Sequence, residues 1–208
     1  MQFNGILLQD TSCPRNVVIE NAKFTKYNGV HRFVSFSLDM EKYKNVVLEN
    51  KELVDRIRWS NLEDFKMTQY MLDNRLIPVN EFIHSFALTK EYLQCCNKYN
   101  VPSRVLLVES DFPCEQWNGP LPNMNFIGYE VLEFPLDCCC IWDLLNTEFF
   151  TEHHKNLNSD GLFDNYNDAV AFKKHYIELL QKGLVGDGDV DLYVCCIYEV
   201  PNEYFIKS

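Results

Sequence analysis

The sequence predicts an α+β domain with a mixed or mainly antiparallel central sheet. Three observations carry that prediction. Apolar runs of strand length stand at the start, the middle and the end of the chain. Between the first and the second group, residues of about 40–99 change to helical spacing and carry capping signals. Hydrophobic residues make up 47%, with fifteen Phe and eleven Tyr, which fills a packed core and argues against disorder. At 208 residues the chain reads as one domain, 1–208.

The elements follow in order. Residues 3–9 hold Ile6-Leu7-Leu8 and read as a first strand. Thr11 to Asn16 interrupts it, with Pro14 inside. Val17-Val18-Ile19 is β-branched, and Tyr27-Asn28-Gly29 marks a turn. Residues 31–38 alternate imperfectly and have strand composition. Four short helices are expected over 40–99. Ser60 and Glu63 form a capping box for one of them. Pro78 suits the first turn of another, Val79–Ala87, and Thr89-Lys90-Glu91 opens the last.

The second half starts with Val105-Leu106-Leu107-Val108, an unbroken apolar run that suits a strand covered on both faces. Asp111–Asn125 is a loop with Pro113, Pro120 and Pro122. The next strand, 126–134, places Ile127, Tyr129 and Val131 on one face and Gly128, Glu130 and Leu132 on the other. Cys140–Asn146 is a short helix or turn. Leu157–Phe163 is a turn with an apolar exit. Asn167 or Asp168 is expected to cap a helix over 167–182, and Gly183 to end it. Residues 191–200 form the last strand.

Charge is the sharpest feature. The net value is −11. Residues 1–104 hold 14 basic and 12 acidic groups, net +2, whereas 105–208 hold 5 and 18, net −13. Between Arg104 and Lys155 there is no Lys or Arg, against nine carboxylates: Glu109, Asp111, Glu115, Glu130, Glu133, Asp137, Asp143, Glu148 and Glu152. Such a half disfavours nucleic acid, whose phosphates need cations. It suits a basic protein partner, or simple solubility. Asp111, Glu115, Trp117, Asp137 and Asp143 are the expected contact residues. Trp117 stands in the loop either as a partner anchor or as a cap on the core edge.

Motifs for chemistry are scarce. No phosphate-binding loop, GxSxG, HExxH or GxGxxG is present. The run Gly186–Asp191 alternates carboxylates as a calcium loop does, but the sixth position is Leu192 and the twelfth Tyr198, so it reads as a solvated connection. Nine Cys occur, several as neighbours, which fits neither a disulfide framework nor zinc spacing. They are read as reduced core residues. His153-His154 reads as a solvated doublet. Cys13 or Cys114 with His31, His84, His153, His154 or His175 would be needed for a thiol nucleophile, and no spacing joins any such pair. No catalytic residue, metal ligand or cofactor is therefore assigned. No apolar run is long enough to span a bilayer, and the first residues lack signal-peptide character, so a cytoplasmic location is expected.

Asn125-Phe126-Ile127-Gly128-Tyr129-Glu130-Val131, then Leu157-Asn158-Ser159-Asp160-Gly161-Leu162-Phe163, then Asp168-Ala169 with Phe172, and a final Ile197-Tyr198-Glu199-Val200 make up a pattern over roughly the last 85 residues. This part resembles immunity proteins encoded beside bacterial polymorphic toxins, of contact-dependent inhibition or related secretion systems. The resemblance implies a role and no residue assignments: an acidic cytosolic protein that binds a toxin domain and occludes it. An enzyme with a thiol- or metal-dependent site assembled across the fold is the alternative. A phage or mobile-element protein that binds a host factor is a third.

Overall fold

The computed structural model describes residues 1–11, 15–16, 26–27, 82–98, 100, 102–113, 116–134, 140–145, 147–185 and 191–206. The strands expected at 17–21 and 31–38 and the helices expected over 40–81 lie outside these residues.

Four strands form an antiparallel sheet: β1 (Gln2–Asp10), β4 (Ser103–Ser110), β5 (Asn125–Phe134) and β6 (Asp191–Val200), in the order β1-β4-β6-β5. Two-residue strands β2 (Arg15–Asn16) and β3 (Lys26–Tyr27) pair separately. The helices are α1 (Phe86–Lys98), α2 (Cys140–Leu144), α3 (Tyr166–Gln181) and α4 (Glu203–Ile206). Short 3-10 turns occupy Glu148–Phe150 and His154–Asn156. The four-stranded sheet is wholly antiparallel and helices pack beside it, as in an α+β fold. Among the described residues no helix is long and apolar enough to cross a membrane.

The unbroken apolar run of β4 has the expected cause. β4 is an inner strand, and Val105, Leu106, Leu107 and Val108 are fully buried. Leu107 lies between Ile6 of β1 and Tyr198 of β6. The last strand in sequence, β6, inserts between β4 and β5. The loop after β4 therefore carries the chain past β6's place to the far edge. A core of Leu106, Val108, Leu132, Cys195 and Ile197 meets Ala169, Phe172, Tyr176 and Leu179 of α3. Elsewhere α1 and α4 meet through Phe86 and Phe205, whose ring centroids are 5.0 Å apart.

Three expectations are corrected. Residues 82–85 are not the end of a Val79–Ala87 helix. Ile83 bridges to Ile6 with two backbone hydrogen bonds of 2.9 Å, which extends the open edge of β1. Pairing an exposed strand edge outweighs weak local helix preference. Helix α1 then starts at Phe86, before the expected Thr89, whose hydroxyl donates back to the Ser85 carbonyl at 3.0 Å. The cap of α3 is Asn165, two or three residues earlier than expected. Its Oδ1 accepts from the Asn167 amide at 2.8 Å. At the other end Gly183 has φ +66°, the Gly183 amide bonds Leu180 O and the Leu184 amide bonds Leu179 O, which is the Schellman arrangement.

The strict alternation expected for β5 fails at a bulge between Phe126 and Gly128. Gly128 has φ +144°, and the Leu157–Phe163 turn docks on it. Asn158 organises the dock. Its Nδ2 donates to Ile127 O at 2.8 Å, and its Oδ1 accepts from the amides of Asp160 and Leu162. Tyr129 and Phe163 exchange both backbone hydrogen bonds, at 2.8 and 3.0 Å.

Candidate functional site

The five expected contact residues do not form one described patch. Asp111 is exposed, and its carboxylate stands 2.7 Å from the Met1 amino group, whose pKa that hydrogen bond raises. The bend at Asp111 is held from beneath. Ser110 Oγ donates to Asn4 Oδ1 at 2.6 Å and accepts from the Phe112 amide. Of the two readings of Trp117, the structure gives the cap on the core edge and not the solvent-facing anchor: it is 8% exposed. Its ring meets Phe205 edge-on, its Nε1 donates to Pro120 O, and its amide donates to Phe3 O. The loop folds back on the sheet because these apolar and backbone groups gain more there than in water. Glu115 and Asp137 lie outside the described residues. Asp143 falls in α2, with its side chain outside them.

Not every carboxylate of the acidic half faces solvent. Glu130 is fully buried, with Oε1 accepting from the Val131 amide at 3.0 Å. Glu199 receives two hydrogen bonds from the Arg104 guanidinium, at 3.0 and 3.1 Å, and Asp160 lies 3.7 Å from it. That last cation before the Lys/Arg-free stretch is therefore spent inside the fold.

The register brings together a group that inspection of the sequence did not find. Cys196 lies opposite both Glu109 and Tyr129, and Tyr198 opposite both Leu107 and Phe126. A row of rings drawn from three strands ends on a helix. Phe3 and Tyr198 are 5.9 Å apart, Tyr198 and Phe126 5.5 Å, Phe126 and Tyr129 5.0 Å, and Tyr129 and Tyr166 5.6 Å. Phe126 is 46% and Tyr166 40% exposed. Glu109 lies beside the row, with Asp111 two residues on. The Tyr198 hydroxyl donates to Glu109 Oε2 at 2.8 Å. Burial first, then Glu109, pushes the Tyr198 phenol above its ordinary pKa. Burial first, then Cys196 and Glu109, does the same for Tyr129. Both phenols stay protonated, so the acidic charge sits on carboxylates next to neutral rings. The sequence signal for this was strand composition alone; Phe126 and Tyr198 are 72 positions apart and meet only through register.

A second cluster lies across the molecule's other turn. The solvated reading of His153-His154 is corrected. His153 is 7% exposed and is walled by Phe150, Phe163 and Phe172. The His154 ring lies on Phe150 at 4.7 Å. The two 3-10 turns roll this segment onto α3. Glu152, His153 and His175 converge there: His153 Nε2 to His175 Nδ1 is 3.0 Å, His175 Nδ1 to Glu152 Oε1 3.0 Å, and His153 Nε2 to Glu152 Oε1 3.5 Å. Burial lowers the His153 pKa against the opposing pull of Glu152, and burial lowers that of His154 too.

Scans of protein-family models, curated proteins and solved structures found no match to the chain.

The described thiols do not suit nucleophilic work. Cys96, Cys140, Cys195 and Cys196 are all buried. Burial pushes Cys195 far up, and pushes Cys196, with Glu109 adding, up to about 11. The thiolate is the reactive form. Native protein treated with iodoacetamide at neutral pH should therefore keep Cys195 and Cys196 unmodified under conditions that alkylate them fully in denaturant. Rapid native labelling of Cys196, read by peptide mass spectrometry, would contradict this burial.

Proposed function

We propose that this chain is an acidic cytoplasmic binding protein that neutralises a basic toxin domain by occluding it, in the manner of the immunity proteins its second half resembles. The observation that carries this reading is the partly exposed ring row, with Glu109 accepting from its Tyr198 and Asp111 exposed two residues further along the chain. Exposed aromatic groups offer contact area at low entropic cost and accept Arg or Lys over their faces. Carboxylates beside them add charge-assisted hydrogen bonds to the same cations. The net −13 of residues 105–208 steers such a partner in and speeds encounter.

The test starts from the genomic neighbourhood, where the reading expects a secreted toxin gene directly upstream whose absence would count against it, and then uses that toxin's domain. Co-expression should restore growth, and calorimetry should give a one-to-one complex. Phe126→Ala and Asp111→Lys should each weaken it by about tenfold or more, with little change in melting temperature, as for truncation of an interface anchor. The association rate should also fall as salt rises. Unchanged affinity in both variants, or an association rate indifferent to salt, would sink the proposed face.

A further inference from the structure

We propose that Glu152, His153 and His175 bind one divalent transition-metal ion, Zn2+ first, through Glu152 Oε1, His153 Nε2 and His175 Nδ1, with a fourth position open to water. The three ligand atoms are mutual neighbours, at 3.0, 3.0 and 3.5 Å. Zinc–ligand bonds of about 2.0–2.2 Å in tetrahedral geometry set ligand–ligand edges of about 3.3 Å. The triangle therefore needs shifts of only a few tenths of an ångström to close on an ion.

Protons alone satisfy this triangle poorly. A ring nitrogen has one in-plane site, either an N–H or a lone pair. His175 Nδ1 faces His153 Nε2 and Glu152 Oε1 at the same 3.0 Å. If it accepts from His153, it turns a lone pair toward a carboxylate. If it donates to Glu152, the proton is shared with a second acceptor. A cation at the centre accepts electron pairs from all three atoms at once.

The surroundings fit the same assignment. His153 is held by Phe150, Phe163 and Phe172, so its ring is oriented before any ion arrives. His175 comes from the middle of α3, a rigid element. Glu152 sits at the exposed mouth, which leaves an approach for the ion. Two imidazoles and one carboxylate are a borderline donor set that suits Zn2+; Ca2+ and Mg2+ require all-oxygen shells. The ion would join the turn of residues 151–157 to α3.

The test titrates Zn2+ into chelator-treated full-length protein against a chromophoric competitor, and repeats it with Co2+ for its visible spectrum. One ion per chain, a four-coordinate Co2+ spectrum without thiolate charge transfer, and a Zn2+-dependent rise in melting temperature are expected. His175→Gln and Glu152→Gln leave the buried His153 in place, so both should fold. Outer-shell changes alone cost about 10–100-fold in metal affinity, so loss of a ligand should cost at least that. Uptake no tighter than in the two variants would mean that protons alone hold the cluster, and overturns the assignment. A thiolate charge-transfer band would place the ion on the cysteines, and overturns it equally.

Discussion

Phe172→Ala lowers the unfolding free energy by about 3–5 kcal/mol, the range for removing a large aromatic side chain from a packed core. The ring is fully buried at the middle of α3. It meets Phe150 at 5.3 Å, Phe163 at 5.4 Å, His153 at 5.2 Å and Tyr176 at 6.2 Å. Those neighbours come from the turn after α2, the dock on β5 and α3 itself. Each is fixed by its own backbone hydrogen bonds, so the cavity cannot collapse freely, and the cost falls toward the high end. Phe172→Leu keeps most of the volume and should cost about 1–2 kcal/mol, as volume-conserving swaps do. Urea denaturation followed by circular dichroism checks both. A loss under about 1 kcal/mol for the Ala variant would show that α3 does not pack on this core.

Gly128→Ala is the second large effect, expected at about 2–5 kcal/mol from backbone strain and overpacking together. The residue has φ +144°, a conformation that side chains rarely adopt. An added Cβ would also stand 2.6 Å from Leu162 Cβ and 3.0 Å from Phe163 O. Relief requires the Leu157–Phe163 turn to lift. That breaks the Asn158 bond to Ile127 O and the paired bonds between Tyr129 and Phe163. Hydrogen exchange at the Tyr129 and Phe163 amides should accelerate with the loss of stability. A variant within about 0.5 kcal/mol of the parent, an ordinary surface-substitution value, would contradict the close approach of turn and strand. Tyr129 and Tyr166 sit on the two sides of this dock, so the same variant should also disturb the ring row.

Much of the second half was legible because its elements are strongly patterned. The apolar run at Val105–Val108 announced a strand buried on both faces, and β4 is that strand. Gly183 ended a helix whose apolar face needed no tertiary information, although its cap proved to be Asn165 and not Asn167 or Asp168. The misses have a common cause. Ile83 left its expected helix because β1 offered it an unpaired edge. For Trp117 the sequence left a partner anchor and a core-edge cap open, and Phe205, 88 positions away, decided for the cap. His153 looked solvated in a polar stretch, yet three Phe rings from separate segments enclose it.

By itself the sequence determined the charge division, the strand and helix content of the second half and the lack of a known catalytic motif. Those properties are local: they depend on composition and on spacings of two to four residues. Only the tertiary structure decided that β6 enters between β4 and β5, that Glu130 and Arg104 turn into the fold, that the rings of Phe3, Tyr198, Phe126, Tyr129 and Tyr166 form one row, and that Glu152, His153 and His175 meet. Each of these rests on strand register or on packing between distant segments. A register change of one residue would move every side chain of a strand to the opposite face, and the partner strands that the register refers to lie up to about a hundred positions away in the sequence.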